Sequence, residues 1–389
     1  MNVLTFGIDN RALLDKQGHS KRWNMRMGKY VNRLDVLVEV RKKSMVNEKY
    51  ISDNVRIVPV YVSHPILYPI IAYRKALEEH KKYKYSLVAT EDPFRTGIAG
   101  FLFKRKTNVA LSIEYHTDTF YNLHWLMERP IYHFPYTLIG MMVVKSANSI
   151  RCVNEKNKRQ LEKLCTKRDI LIESIPVPSE MYSPDKYRSL SRRIRNKILK
   201  NKKGFIILFV GRLVPVKKIE ELIQVFSEIR KQYKNAYLLI VGDGPYKAKL
   251  QKLAKDLGDN QIIFEGYVDE DNILAYYGAA DIFVNPAHVE PYGRVYIEAM
   301  SAGLPVVTTS GAGAVQDKLC IHEVNSLIIE PGKIHELNNA ISRLLSDDQL
   351  RNELGQNAFA IVRHKFDYEK TLQKMKAFWD KTIKLNQRS

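Results

Sequence analysis

Short apolar runs alternate with longer segments of helical periodicity along most of the chain. In the first half Val3–Gly7, Val36–Val40, Arg56–Val60, Ser86–Thr90, Ala110–Glu114 and Ile150–Val153 read as strands. In the second half Phe205–Val210, Ala236–Val241, Ile262–Glu265, Asp281–Asn285, Val306–Thr308 and Ser326–Ile329 do the same. These runs are largely apolar throughout rather than alternating, which predicts burial on both faces and hence parallel sheets. Between the later strands the spacing predicts helices over Glu220–Tyr233, Lys247–Leu257, Asp271–Ala279, Val295–Ala302, Ile334–Leu345 and Gln349–Val362. Leu222, Ile223, Phe226 and Ile229 recur at helical intervals in the first of them. A last helix, Tyr368–Ile383, carries Leu372, Met375, Phe378 and Trp379 on one face. Strand and helix in alternation imply right-handed βαβ crossovers.

A chain of 389 residues is too long for one ordinary core and comfortable for two. Residues 184–204 hold few apolar side chains and many charges, which sets a hinge near Ile175–Pro184. The expected fold is α/β: two Rossmann-like, doubly wound parallel-sheet domains facing a cleft. The first domain covers 1–183 and the second 184–367, with 368–389 a C-terminal helix crossing back to the first. In such sheets ligands bind beyond the carboxyl ends of the strands, so the site is expected in the cleft.

Charge narrows the partners without naming one. Lys and Arg total 62 against 42 Asp and Glu, a formal charge of +20. That field attracts nucleic acid, anionic lipid or phosphorylated substrates. No helix-turn-helix, zinc-finger spacing or aromatic RNA-binding pattern accompanies it, so nucleic acid is not expected as a partner. Over Lys21–Leu34 the cations Arg22, Arg26, Lys29 and Arg33 line one stripe and Trp23, Met27, Tyr30 and Leu34 a neighbouring one. This predicts a basic amphipathic helix, fit for an anionic membrane surface, for an acidic glycan, or simply for solvent. Cys152, Cys165 and Cys320 show no pairing pattern, which argues against a disulfide framework or a zinc site and for a reducing compartment. The longest apolar stretch, Pro135–Val144, falls short of the roughly 20 residues a spanning helix needs. The expected location is cytoplasmic, in solution or on the inner face of the membrane.

Three motifs at strand ends carry the chemistry. Gly211-Arg212 and Lys217-Lys218 lie between a strand and a helix, where free N–H groups and the helix dipole favour phosphate. Arg212 grips two phosphate oxygens at once, whereas Lys217 is a mobile point charge. Gly242-Asp-Gly244-Pro245 ends another strand; its glycines allow close backbone approach, to a ligand or in a tight turn. The third motif runs from His288 through Glu290-Pro-Tyr292-Gly293-Arg294-Val295 to Glu298 and on to Gly303-Leu-Pro305. Glu290 falls in a loop, Gly293 and Arg294 open a helix with unpaired N–H groups, and Glu298 lies inside that helix. Two carboxylates bracketing a helix start can meet a sugar and a ribose, with a diphosphate between them.

With these residues in place the second half resembles the donor domain of family 4 glycosyltransferases of the GT-B fold (glycosyl transferases group 1). The likeness rests on Gly211-Arg212 with Lys217, Gly242-Asp-Gly-Pro245, Phe264-x-Gly266-x-Val268, and Glu290 and Glu298 with seven residues between them, roughly over 205–332. It implies that Arg212 and Lys217 hold a nucleoside diphosphate, that Glu298 binds ribose and Glu290 the transferred sugar, and that Gly266 and Val268 meet the base. It also implies a retaining transfer from a nucleoside-diphosphate sugar to a glycan or lipid-linked acceptor. No metal is needed and no cofactor is expected beyond that donor.

The first half resembles the acceptor domain more loosely, through Glu91-Asp92-Pro-Phe94-x-x-Gly97-x-x-Gly100 and His116-Thr-Asp118. Asp92, His116 and Asp118, with Gly18 and Arg22, are the acceptor-side candidates, and His116 joins Glu290, Arg212 and Lys217 as a catalytic candidate. Helix capping by the aspartates and a satisfied histidine are the plain alternatives. The sequence departs from the family pattern in three places. Asp9 to His19 has only Gly18 where paired glycines are usual; Pro176-Val-Pro178 replaces an Asn-Gly turn; Lys218 stands where glycine is frequent. Rival functions are a sugar-nucleotide epimerase of the same shape, a non-catalytic sugar-nucleotide sensor, and a nucleic-acid-binding protein.

Overall fold

The structure, a computed structural model of the chain, describes all residues except 8–12, 14–18, 46, 117–119, 121–125, 128–129, 166–169, 175–181, 291–292 and 389. It divides into two compact units, Met1–Val177 with Glu369–Ser389, and Pro178–Tyr368.

In the first unit the strands are β1 Asn2–Gly7, β2 Arg33–Val40, β3 Lys49–Ser52, β4 Val55–Tyr61, β5 Leu87–Thr90, β6 Ala110–Tyr115, β7 Ser149–Cys152 and β8 Leu171–Ser174. They form one sheet in the order β3-β4-β2-β1-β5-β6-β7-β8, parallel except for β3, which runs antiparallel to β4. Its helices are α1 His19–Gly28, α2 Tyr68–Tyr83, α3 Arg95–Thr107, α4 Pro130–Ser146 and α5 Glu155–Leu164. The sequence reading omits both edge strands. β3 (KYIS) has no buried residue, so it lacks the apolar run that betrays an interior strand.

The second unit holds β9 Phe205–Val210, β10 Ala236–Val241, β11 Ile262–Gly266, β12 Ile282–Asn285, β13 Val306–Thr309 and β14 Ser326–Ile329. Their order, β11-β10-β9-β12-β13-β14, is the doubly wound order with its reversal beside β9, and every pairing is parallel. The helices are α6 Pro184–Leu199, α7 Ile219–Gln232, α8 Lys247–Asp256, α9 Ile273–Ala279, α10 Arg294–Ser301, α11 Gly313–Gln316, α12 Ile334–Ser346 and α13 Asp348–Lys365; α14 Tyr368–Arg388 follows. All six strands expected here are present; the four interior ones are almost wholly buried apolar runs, and the edge strands β11 and β14 keep enough apolar residues to be read. Phe209, Leu222, Phe226, Leu238 and Ile341 meet in one core.

Residues 184–204, read from sequence as a polar basic stretch, fold largely into a helix. Pro184–Leu199 is a helix whose Tyr187, Ser191, Ile194 and Ile198 are buried. Arg195 ties it down, donating to Ala279 O (2.8 Å), Asp281 Oδ2 (2.9 Å) and Gly204 O (2.9 Å). Its inward stripe keeps helical spacing, and the exposed cations between hide it. The hinge segment itself, with Pro176 and Pro178, lies outside the described residues.

The basic helix expected over 21–34 is likewise shorter. It stops at Gly28, packed against Val55 and Asn54, where a Cβ would sit 2.4 Å from Val55 Cγ2. Arg33 instead begins β2, paired with Asp35 at 2.7 Å and stacked on Tyr83. The four-cation stripe therefore does not exist as a surface.

Helix α14 belongs to the first unit. Leu372, Met375, Phe378 and Trp379 are buried. Thr382 Oγ1 donates to Ser149 Oγ (2.7 Å), Tyr30 Oη to Glu369 (2.8 Å) and Lys381 Nζ to Glu173 (2.9 Å).

Near the amino ends of β2 and β4 Asp35, wholly buried, accepts from Arg33, from Arg56 at 2.9 Å and from the Tyr85 hydroxyl. Arg56 also reaches Glu48 and Glu79. Removing one member of a buried charge network leaves the others uncompensated. Asp35→Asn is expected to cost about 3 kcal/mol or more in urea unfolding. At the start of α7 Lys218 adopts left-handed φ and ψ of 52° and 38°, a region in which a side chain costs about 1 kcal/mol. Lys218→Gly is accordingly expected to leave stability unchanged or raise it by up to ~1 kcal/mol in the same measurement; a clear loss would mean that the lysine side chain itself holds the turn.

Candidate active site

The loops after β9 and β10 are built as a pair. Gly211 N donates to Val241 O (3.0 Å), Leu213 N to Asp243 O (3.0 Å) and Tyr246 N to Leu213 O (3.1 Å). This closeness explains the glycines of the second motif. A Cβ on Gly242 would fall 1.9 Å from Gly211 O, and one on Gly244 2.4 Å from Leu213 O. Gly242 also has φ +136° and donates to Gly266 O at 2.7 Å. Arg212 is exposed at the tip of the first loop, and Val268 is half-buried just past β11.

Lys217 closes a short 3-10 turn, Pro215–Lys217, and points inward with 16% of its side chain exposed. It forms an ion pair with the Glu290 carboxylate, itself 11% exposed. Burial pulls the Lys217 ammonium down to about 8. Glu290 is fixed by its backbone: it bridges to Ala312, and its carbonyl accepts from Gly313 N at 2.7 Å. The small residues Ser310-Gly311-Ala312-Gly313 after β13 make that approach feasible, since a Cβ on Gly311 would meet His288 O at 2.0 Å. The sequence reading does not single out this run, although small residues at a strand end are its visible signal.

Gly293, with φ +71°, opens α10. A Cβ there would lie 2.8 Å from the Tyr296 ring and 3.1 Å from Glu290 Cγ, so the start of the helix adjoins the carboxylate side chain. Arg294 faces Glu270 at 3.7 Å, and Val295 is half-buried behind it. Tyr296, fully buried, shares its hydroxyl with Asn285 (3.0 Å) and Thr308 (2.8 Å), tying α10 to the ends of β12 and β13. Glu298 accepts from the buried hydroxyl of Tyr277 at 2.9 Å. Tyr277 is thus a supporting residue missed from sequence, where it reads as one more apolar position of α9. Tyr292 lies outside the described residues. The other donor-side candidates stand at or beyond the carboxyl ends of β9 to β12, with Glu298 inside α10.

In the first unit the candidates divide. Asp92 is committed to folding: its Oδ1 accepts from Phe94 N (2.6 Å), and its main chain exchanges bonds with Thr96 Oγ1. Gly97 and Gly100 in the same motif are packing glycines, against Asp92 O and the Thr90 side chain. His116, just past β6, has Nε2 2.7 Å from Glu114 Oε2. Glu114 in turn pairs with Arg151 of β7 at 2.9 Å, and the Arg151 guanidinium lies 5.4 Å from the centre of the Trp23 ring. Although burial opposes it, Arg151 and His116 together hold the Glu114 carboxyl down at about 2. Glu114 and Arg151 escape the sequence reading, yet a charge inside an otherwise apolar strand is a signal in itself. Arg22 is half-buried in α1, while Gly18 and Asp118 lie outside the described residues. Among the described residues no group of three His, Cys, Asp or Glu side chains is placed to hold a metal, and the three cysteines are buried and unbonded to one another.

Residues 191–360 match the family model described as glycosyl transferases group 1. An uncharacterized glycosyltransferase of Methanocaldococcus jannaschii is 36% identical over 165 residues, 42% of this chain and 42% of that protein. The alpha-monoglucosyldiacylglycerol synthase of Streptococcus pneumoniae is 23% identical over 76% of this chain and 64% of its own length. Among solved structures, HepE of Anabaena in complex with UDP-glucose superposes with a TM-score of 0.74 at 19% identity, covering 96% of this chain and 98% of that one. Residues 191–360 thus match the glycosyl transferases group 1 model, and the chain as a whole carries the two-sheet GT-B fold of the solved neighbour.

Proposed function

We propose that this glycosyltransferase moves a sugar from a nucleoside-diphosphate donor to a hydroxyl of a glycan or lipid-linked acceptor, with retention at the anomeric carbon and without a metal. The observation that carries this reading is the buried Lys217–Glu290 pair beside the α10 start at Gly293. Cation, carboxylate and exposed helix N–H groups converge on one edge of the sheet, where a diphosphate and its attached sugar find complementary partners. The UDP-glucose in the Anabaena neighbour makes a UDP-sugar the first donor to test.

In this mechanism the bond between the anomeric carbon and the diphosphate oxygen breaks while a bond to the acceptor oxygen forms on the same face. Charge grows on the departing phosphate, where Arg212, Lys217 and the α10 terminus stabilise it. The acceptor proton passes to that phosphate oxygen. Glu290 faces the sugar as it gains oxocarbenium character, and Glu298, steadied by Tyr277, takes the ribose hydroxyls. In the first unit His116, held by Glu114, is the acceptor-side candidate.

Glu290→Ala should lower kcat on the order of 100-fold, while donor affinity holds or rises because Lys217 is freed for phosphate. Arg212→Ala should weaken donor binding and turnover together, by roughly 100-fold in kcat/KM. Full activity in both variants would refute the site. Lys217 carries charge below about pH 8 and loses it above. Donor kcat/KM should therefore fall as pH rises through about 8, and Lys217→Arg, whose guanidinium stays charged, should abolish that fall. Incubating donor alone separates transfer from epimerisation: an isomerised sugar nucleotide formed without acceptor would favour the epimerase.

A further inference from the structure

The helix α4, Pro130–Ser146, is apolar on nearly every side. Such a helix belongs inside a core or in contact with lipid, and α4 does only half of the first. Its inner face is packed: Val143 and Val144 are buried, and a Cβ on Gly140 would meet the Phe94 ring at 2.7 Å. Its outer face is open. Ile131 is 83% exposed, Phe134 55%, Leu138 53% and Met142 53%, and their spacing of three and four residues makes them one stripe. Lys145 continues that stripe at its C-terminal end. There the end of α3 adjoins it: Lys104 Nζ donates to Ser146 O at 2.8 Å, and the exposed Arg105 and Lys106 follow. The helix sequence contains no Asp or Glu.

We infer that this face docks on an anionic lipid bilayer, with α4 lying in the plane of the interface. The stripe from Ile131 to Lys145 runs about 21 Å, and no described helix is long and apolar enough to cross a membrane. Acyl chains would cover the apolar stripe, and phosphate headgroups would meet Lys145, Arg105 and Lys106. That pairing of an apolar face with a cationic end is what an interfacial helix requires. A contiguous exposed apolar patch on a soluble chain is otherwise a liability. The inference deepens the lipid-linked reading of the acceptor, but vesicle binding is measured without donor or acceptor, so its failure would leave the transfer reading intact.

The test is co-sedimentation of the full chain with phosphatidylcholine vesicles, with and without phosphatidylglycerol. Binding should require phosphatidylglycerol and weaken with salt. The double variant Ile131→Asp/Leu138→Asp should partition at least on the order of 10-fold less, and Lys145→Glu/Arg105→Glu should lose the preference for phosphatidylglycerol. Circular dichroism melting verifies that each variant is folded, and the milder Phe134→Ser/Met142→Ser pair serves if the aspartates unfold α4. The proposal falls if the parent ignores all vesicles, if it binds both compositions equally, or if a folded apolar-face variant binds like the parent. It also falls if the parent is a dimer that Leu138→Asp turns into a monomer, since a second copy would then cover the face.

Discussion

An ammonium and a carboxylate share a small, mostly dry volume between two loops of the second sheet, and the geometry around them exists to keep them there. Lys217 arrives after β9 and Glu290 after β12, neighbours in the sheet through Ile282 opposite Ile207 and Phe283 opposite Leu208. Neither charge would be tolerated alone at that depth. Gly242 and Gly244 let the β9 and β10 loops close on each other, and Gly311 lets the β13 loop approach so that Gly313 N holds the Glu290 carbonyl. The glycines of these motifs thus let the loops that carry the two side chains close on one another.

The first unit uses the same device in milder form. Glu114 sits between His116 and Arg151, so one ring nitrogen of the histidine is already engaged and the ring orientation is set. Arg151 lies near the Trp23 ring, which links α1 to the end of β7. In both units a buried carboxylate is answered by a cation, and the side chain that faces outward is positioned by the pair.

Much of this was legible in the sequence, for physical reasons that differ by element. Strands enclosed on both faces, such as Phe205–Val210 and Ala236–Val241, declare themselves because burial leaves only apolar residues. The edge strand at Lys49–Ser52 pairs on one side only and carries no such mark. Helix α6 is obscured by its composition: Tyr187, Ser191, Ile194 and Ile198 keep a helical interval beneath a coat of arginines. Past Gly28 the opposite holds: the cations stay periodic while the chain turns into β2. At the site the charged residues of the loops could be named from their motifs. The groups that orient them, Tyr277, Glu114 and Arg151, come from other elements, and only the fold brings them near.

Helix α14 has a bearing on how the protein is made. Thr382 bonds to Ser149, and Phe378 and Trp379 fill the interior of a unit whose other residues precede Pro178. During synthesis the opening unit leaves the ribosome with a gap in its interior and must wait through the whole of the second unit before the piece that fills it emerges. The second unit, continuous from Pro178 to Tyr368, has every part it needs as soon as it appears. Completion of the first unit is thereby tied to delivery of helix α14, and a chain broken off before Leu372 would expose apolar surface in its first unit rather than its second.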